Sequence, residues 1–167
     1  MKLDLNRILD RGDGAEVVKA DVDLRFVHYR GVSPFQEPVL LTAEARNRVG
    51  VVTLDCTYQY TLHLSCDRCL TPFSKQVTLH AAHTVVRSLS SESSDDDDYL
   101  VAPDGIVDLD EVATNDVLPE LPGKFLCRED CKGLCPVCGC NLNEGSCGCE
   151  RREADPRLAI LDQFFEN

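Results

Sequence analysis

The chain has 167 residues and a formal net charge of −12, and 43% of its residues are hydrophobic. This length suits one domain with a small annex, and the apolar fraction is sufficient for a buried core. The acidic balance excludes the basic footprint of a typical nucleic-acid-binding domain, and no run of eighteen apolar residues predicts a membrane span. The N-terminus also lacks the apolar segment of a signal peptide, so we expect a cytoplasmic protein without a membrane contact.

The longest pattern in the first part of the chain is an alternation over residues 52–66. Every even position there is apolar or a thiol, and every odd position is polar. A period of two without a break predicts a long, half-buried strand. Residues 73–87 alternate in the same way, and the two segments are separated by Cys66-Asp-Arg-Cys69. The sequence therefore predicts a hairpin with a two-cysteine turn at its tip.

Two earlier segments, Val17–Phe26 and Val39–Arg48, are further strand candidates. Glycine and proline interrupt the pattern at residues 31–38 and 47–50, and the glycines at residues 11–14 are also interpreted as turn residues. Residues 1–89 are thus expected to form an antiparallel β domain, curled into a sandwich or a partial barrel. With the short helices expected below, the predicted class is α+β.

Residues 90–126 carry 11 acidic residues and one basic residue, so most of the acidity of the chain lies in this segment. Residues 90–98 repel one another and cannot bury a face, which predicts a flexible acidic linker; a carboxylate cluster for a divalent cation is the alternative. Residues 99–126 are expected to complete the β domain with a short strand at Ile106 and a helix that Asp108 caps. Leu118 ends that helix because prolines follow it.

Eight of the ten cysteines have the spacing of metal ligands, and six of those eight lie within residues 127–149. The tightest group is Cys135-Pro-Val-Cys138, followed by Gly139, which can take the positive φ that such a turn needs. Thiolates at these spacings can close on one tetrahedral zinc ion. The simplest closed site contains Cys135, Cys138, Cys147 and Cys149. A second would join Cys127 and Cys131 to Cys66 and Cys69, although other pairings of these thiols stay open.

Four thiolates without a water position describe a structural zinc site, and such a site would supply folding free energy to the short annex at residues 127–167. We predict at least one structural zinc ion, and the partition given above would make two. An iron–sulfur cluster and a redox-active Cys-x-x-Cys are the alternatives. Cys56 is expected to be a small buried apolar residue, and Cys140 is expected to face away from the metal. Asp155 and Pro156 predict a last helix in the annex.

Signatures of catalysis are missing. The histidines at positions 28, 63, 80 and 83 form no ligand motif, no glycine-rich phosphate loop is present, and no serine lies in Gly-x-Ser-x-Gly. We therefore expect a protein that is not an enzyme and has no small-molecule substrate.

Three motifs together resemble those of the YceD-like bacterial proteins, known as large-subunit ribosomal RNA accumulation proteins. They are the hairpin Leu64-Ser-Cys-Asp-Arg-Cys-Leu70, the cysteine-rich run from Cys127 to Cys149, and Asp155-Pro-Arg-Leu-Ala-Ile-Leu161. The resemblance implies a cytoplasmic, non-enzymatic ribosome-biogenesis factor that helps large-subunit ribosomal RNA to accumulate. The resemblance thus implies the biological process in which the protein takes part, but no particular molecular mechanism.

A factor of this kind would contact large-subunit ribosomal RNA or a ribosomal protein. Candidate contact residues are Arg68 at the hairpin tip, Lys132 beside the cysteine turn, and Arg157. Two other functions are weighed beside it. One is a redox-responsive regulator in which oxidation of the thiols ejects zinc. The other is a chaperone whose acidic segment shields a basic ribosomal protein.

Overall fold

A computed structural model describes residues 1–10, 13–88 and 99–149 of the chain. The expected acidic linker at residues 90–98 and the expected helix that begins near Asp155 lie outside these described residues. The elements are β1 (Lys2–Asp4), α1 (Asn6–Asp10), β2 (Asp13–Val22), β3 (Val39–Arg48), β4 (Val51–Ser65), β5 (Pro72–Val86), β6 (Tyr99–Val101), β7 (Ile106–Asp108) and α2 (Leu109–Val117).

The main sheet has five strands in the order β2-β3-β4-β5-β6, so β2 and β6 form its two edges and the sheet is open. The first four strands form an antiparallel meander, and only the β5–β6 pairing is parallel. A second, two-stranded sheet pairs β1 with β7. The predicted α+β class with an antiparallel sheet is therefore confirmed.

One face of the main sheet is buried and the other is open to solvent. Along β4, each even residue from Val52 to Leu64 is buried, and β3 alternates in the same way from Val39 to Asn47. The buried face packs against α1, α2, the β1–β7 sheet and the segment from Leu24 to Phe35 in one continuous core. The layer opposite the sheet thus consists of short helices and two short strands.

Helix α2 begins where the sequence predicts. Asp108 is its N-cap and accepts a hydrogen bond from the amide of Asp110 at 3.1 Å, and Leu118 is its C-cap. Its apolar side chains, among them Val112 and Val117, face the core. This helix positions Asp116 against the buried face of the sheet.

The predicted strand Val17–Phe26 was misplaced. Strand β2 begins at Asp13 because it pairs with β3 along its whole length, so Gly14 lies in the strand opposite Asn47 and not in a turn. The strand ends at Val22 because the Asp23 carboxylate accepts a hydrogen bond from the amide of Arg25 at 3.0 Å and turns the chain.

Among the residues that the structure describes, neither helix has the length and apolar character that a helix needs to cross a membrane.

Candidate metal centre

Four thiols from two distant parts of the chain meet at the tip of the β4–β5 hairpin. We call this group site A: it consists of Cys66, Cys69, Cys127 and Cys131. The first two lie in the turn between β4 and β5, and the other two follow α2 after an irregular segment. Three of the four are buried, and Phe73, Leu126 and Leu134 pack around them. Site A therefore attaches the annex to the sheet.

The spacing of the sulfurs in site A fits a single tetrahedral ion. The Sγ atoms of Cys66 and Cys131 lie 3.7 Å apart, and those of Cys69 and Cys127 also lie 3.7 Å apart. Bonds of about 2.3 Å from a tetrahedral zinc ion would place the sulfurs about 3.8 Å from one another. These two separations match those around a single tetrahedral ion, and all four sulfurs of site A lie within 4.8 Å of one another.

A second group of four thiols, which we call site B, lies farther along the annex. It consists of Cys135, Cys138, Cys147 and Cys149, and their Sγ atoms all lie within 4.8 Å of one another. Cys135 is buried, whereas Cys138 is exposed, so site B is closer to solvent than site A. Both groups have the membership that the cysteine spacing predicted.

The two Cys-x-x-Cys turns have the same backbone geometry. In each, the residue after the second cysteine donates a backbone hydrogen bond to the carbonyl of the first, at 2.9 Å from Leu70 and 2.8 Å from Gly139. Both residues have positive φ, 60° for Leu70 and 73° for Gly139. Glycine takes this conformation readily and leucine does not, so the geometry of site A is maintained against a local backbone cost.

Backbone amides point at the first sulfur of each turn. Burial alone would raise the pKa of Cys66, but hydrogen bonds from the backbone of Cys127, Cys69 and Arg68 lower it to about 6. Backbone hydrogen bonds from Cys138 and Val137 likewise lower the pKa of Cys135 to about 6. These turns therefore favour thiolates, the form in which cysteine binds metal.

Two of the other thiols, those of Cys127 and Cys149, do not ionise as readily without a cation. Burial and the neighbouring Cys69 thiol raise the pKa of Cys127 to about 12. Contact with Cys138 and burial raise the pKa of Cys149 to about 12. Neighbouring thiolates repel one another, so a bound cation would allow all four members of each group to ionise together.

A network of hydrogen bonds seats the segment before site A against the hairpin tip. The Asp67 carboxylate accepts from the amide of Phe125 at 2.8 Å, and the Asp67 amide donates to the carbonyl of Phe125 at 2.7 Å. Arg30 donates to the carbonyl of Gly123 at 2.7 Å, and its guanidinium carbon lies 5.5 Å from the centroid of the Phe125 ring. These contacts position Cys127 opposite Cys69.

The structure places two of the three predicted contact residues beside site A. Arg68 is exposed but also donates to the carbonyl of Cys131 at 2.8 Å, while its own carbonyl accepts from the amide of Leu134. Lys132 is exposed and directly follows Cys131. Arg157 lies outside the described residues.

Cys140 belongs to neither four-thiol group, but the expectation that it faces away from them is wrong. Its thiol lies beside those of Cys138 and Cys147, whose proximity raises its pKa to about 12. The amide of Cys135 also donates to the carbonyl of Cys140 at 2.8 Å, which folds the chain back toward site B. Sequence spacing alone could not show this reversal.

Cys56 is buried as expected, but it belongs to a polar cluster that the sequence analysis missed. The Asp116 carboxylate of α2 accepts from the buried Tyr58 hydroxyl at 2.6 Å and lies 2.9 Å from Nε2 of His83. Cys56, His83 and Asp116 have their ligand atoms within 4.8 Å of one another. Because Asp116 already has two partners, we interpret the cluster as a connection between helix and sheet.

This cluster predicts a pH-dependent contribution to stability. The hydrogen bond with Asp116 raises the pKa of His83 above its ordinary value of 6.5. The contribution of the pair is therefore complete below pH 6.5 and is lost as the pH rises through the raised pKa. Urea denaturation between pH 5.5 and 8.5 should show this loss in the natural chain, and His83→Gln should remove it.

The matched control is His80→Gln, since His80 is exposed on the open face of the sheet. It should leave the pH dependence of the free energy of unfolding as it is in the natural chain. If the curve for His83→Gln instead runs parallel to that of the natural chain, the pair makes no pH-dependent contribution.

Residues 54–165 match the model of a family described as "Large ribosomal RNA subunit accumulation protein YceD". An uncharacterized protein of Mycobacterium tuberculosis is 36% identical over 102 residues, which are 60% of this chain and 49% of that protein. The chloroplastic "Large ribosomal RNA subunit accumulation protein YCED homolog 1" of Zea mays is 25% identical over 152 residues, 73% of this chain and 52% of that protein.

The uncharacterized protein YlbN of Bacillus subtilis is 24% identical over 152 residues, 90% of this chain and 83% of that protein. The chain spans about half the length of the mycobacterial relatives that it matches. No solved structure matches it at a significant level. The matched range of the family model includes the hairpin tip and both groups of thiols.

Proposed function

The chain belongs to the YceD family, and from that premise we propose that it is a non-enzymatic ribosome-biogenesis factor that supports the accumulation of large-subunit ribosomal RNA. The observation that carries the proposal is the match over residues 54–165, which includes most of β4, all of β5 and α2, and both thiol groups. The described residues offer no observation that favours a redox-responsive regulator or a chaperone over this function.

Sites A and B would each hold one structural zinc ion. Four thiolates close the coordination shell of zinc and leave no position for a reacting water molecule. The 3.7 Å separation of the sulfurs in site A suits one ion, whereas a cluster of several irons would hold its thiolates farther apart. The proposed role of the metal is to fold the annex and attach it to the hairpin.

The surface around site A is the proposed contact with ribosomal RNA or a ribosomal protein. In a chain whose net charge is −12, this surface gathers several exposed basic side chains. They are Arg30, Arg68, Lys124, Arg128 and Lys132. Basic side chains of this kind bind the phosphates of nucleic acids. The proposal includes a cytoplasmic location, where ribosomal RNA is made and assembled in bacteria.

The function is tested by deleting the gene in the organism that encodes it. The ratio of large-subunit to small-subunit ribosomal RNA should fall in the deletion strain and return when the natural gene is restored. An unchanged ratio in the deletion strain would refute the proposed function.

The contact surface is tested in the same strain with charge reversals. Lys132→Glu should restore the ratio less well than the natural gene, because it repels phosphate at the surface beside site A. Lys19→Glu is the matched control, since Lys19 is exposed on β2 and makes the same charge change on another surface. Equal restoration by both variants would exclude Lys132 from the contact.

A further inference from the structure

Sites A and B are connected through one side chain that belongs to neither. The loop of residues 139–146 joins Cys138 to Cys147, and its Asn143 reaches from there toward site A. The Nδ2 group of Asn143 donates to Sγ of Cys131 at 3.4 Å, and its Oδ1 accepts from the amide of Lys132 at 2.8 Å. A residue positioned by the loop of one site thus touches a ligand sulfur of the other.

The position of Asn143 depends on the closure of that loop. Asn141 forms a bridge with Leu134, the amide of Leu142 donates to the carbonyl of Gly133 at 2.9 Å, and Asn141 accepts from Asn143 at 2.8 Å. Both ends of the loop carry ligands of site B. An ion at site B would therefore hold the loop closed before Asn143 binds Cys131. The contact between Asn143 and Cys131 would then cost less conformational entropy.

The hydrogen bond from Asn143 is an outer contact to a ligand of site A, and it holds the sulfur of Cys131 in the position from which it would bind an ion. Removal of such outer partners of metal ligands typically lowers metal affinity about 10- to 100-fold.

The backbone adds a second connection between the two sites. Gly133, between Cys131 and Cys135, has a φ of 75°, and a Cβ atom there would lie 3.1 Å from the carbonyl oxygen of Arg68. The segment from Cys131 to Cys135 is therefore packed tightly against the turn that carries Cys66 and Cys69. Movement of either site would be transmitted through this segment, which has little room to adjust.

We propose that sites A and B bind metal cooperatively, with Asn143 as the positioning residue that couples an ion at site B to the affinity of site A. This inference rests on the proposed zinc sites and adds their regulation: loss of the ion from one site weakens the binding of zinc at the other. Coupling of this kind is reciprocal, so an ion at site A also raises the affinity of site B by the same factor.

The test measures zinc release from each site separately in the full chain. The zinc-loaded protein is incubated with increasing concentrations of a zinc chelator, and free thiols are alkylated. Peptide mass spectrometry of Cys66 and Cys69 reports site A, and that of Cys147 and Cys149 reports site B. In Asn143→Asp, half of the zinc at site A should be released at a chelator concentration about tenfold lower than in the natural chain.

Asn143→Asp is chosen because its carboxylate can still accept from the amide of Lys132 but cannot donate to Cys131. Asn115→Asp is the matched control, since Asn115 is exposed on α2 and undergoes the same chemical change. It should leave the release of zinc from both sites unchanged. An equal loss in the two variants would overturn the proposal, because charge and not the contact would then be the cause.

A second background separates coupling from a purely local effect. Cys147→Ser/Cys149→Ser abolishes site B and should weaken site A about tenfold, and Asn143→Asp should add little to that loss. Two results would overturn the coupling but not the structural zinc sites. One is release of zinc from site A that does not change when site B is abolished. The other is an effect of Asn143→Asp on site A that is as large without site B as with it. If zinc protects neither group of thiols in the natural chain, the metal sites of the proposed function fail instead.

Discussion

Replacing Cys131 with serine should abolish the zinc ion proposed for site A and release the annex from the hairpin tip. Cys131 is buried, its sulfur lies 3.7 Å from that of Cys66, and no other thiol is placed to replace it in site A among the described residues. Structural zinc sites supply about 10–16 kcal/mol of apparent folding free energy in small metal-binding peptides. The few apolar side chains around site A cannot replace a contribution of that size.

Two measurements check this expectation. Metal content per chain should fall from two to one, and trypsin should cleave after Arg128 and Lys132 much faster than in the natural chain. The core of the main sheet includes no cysteine of site A, so the variant should still show cooperative unfolding of the β strands. That unfolding transition distinguishes local release of the annex from global misfolding.

Cys56→Ala is the control for the loss of a buried thiol. Cys56 lies in the sheet core and belongs to neither site, so this variant should keep both ions and the natural rate of cleavage. Natural metal content in Cys131→Ser would show that the four thiols of site A do not form a metal site.

Replacing Asp116 with alanine should give the second large effect, a loss of about 2–4 kcal/mol in the free energy of unfolding. The Tyr58 side chain is completely buried and its hydroxyl donates to Asp116 at 2.6 Å, so the variant leaves a buried donor without this acceptor. His83 loses its partner in the same change. In a chain of this length we expect the Tm to fall by about 5–10 °C.

Thermal and urea denaturation measure this loss, with Asn115→Ala as the control on the exposed side of the same helix. Tyr58→Phe should cost less than Asp116→Ala, because it removes the donor together with its need for an acceptor. A double variant that loses no more than Asp116→Ala alone would show that the Tyr58 hydroxyl contributes to stability through Asp116. Equal stability of Asp116→Ala and Asn115→Ala would contradict the assigned role of the cluster.

Several features of this protein were predictable because they are local. Strands β4 and β5 follow from an alternation with a period of two, and each boundary differs from the prediction by one residue. The cap of α2 at Asp108 follows from residue types within one turn of helix. The two Cys-x-x-Cys turns follow from a spacing of three residues.

Other features depended on which segments meet. Strand β2 extends to Asp13 because β3 offers partners along its full length, and this pairing overrides the turn preference of Gly14. The β1–β7 pairing joins residues about a hundred positions apart, and the parallel β6 strand has only three residues, too few for a periodic signal. Neither was part of the sequence analysis.

The candidate metal centre shows the same division. By itself, the sequence determined which residues can bind metal, since thiols separated by two or three residues can converge on one cation within a single turn of the chain. Only the tertiary structure decided that Cys66 and Cys131 lie 3.7 Å apart, that Cys140 turns back to site B, and that Asn143 reaches Cys131. Such contacts depend on backbone paths between distant residues, and a spacing pattern does not encode where those paths cross.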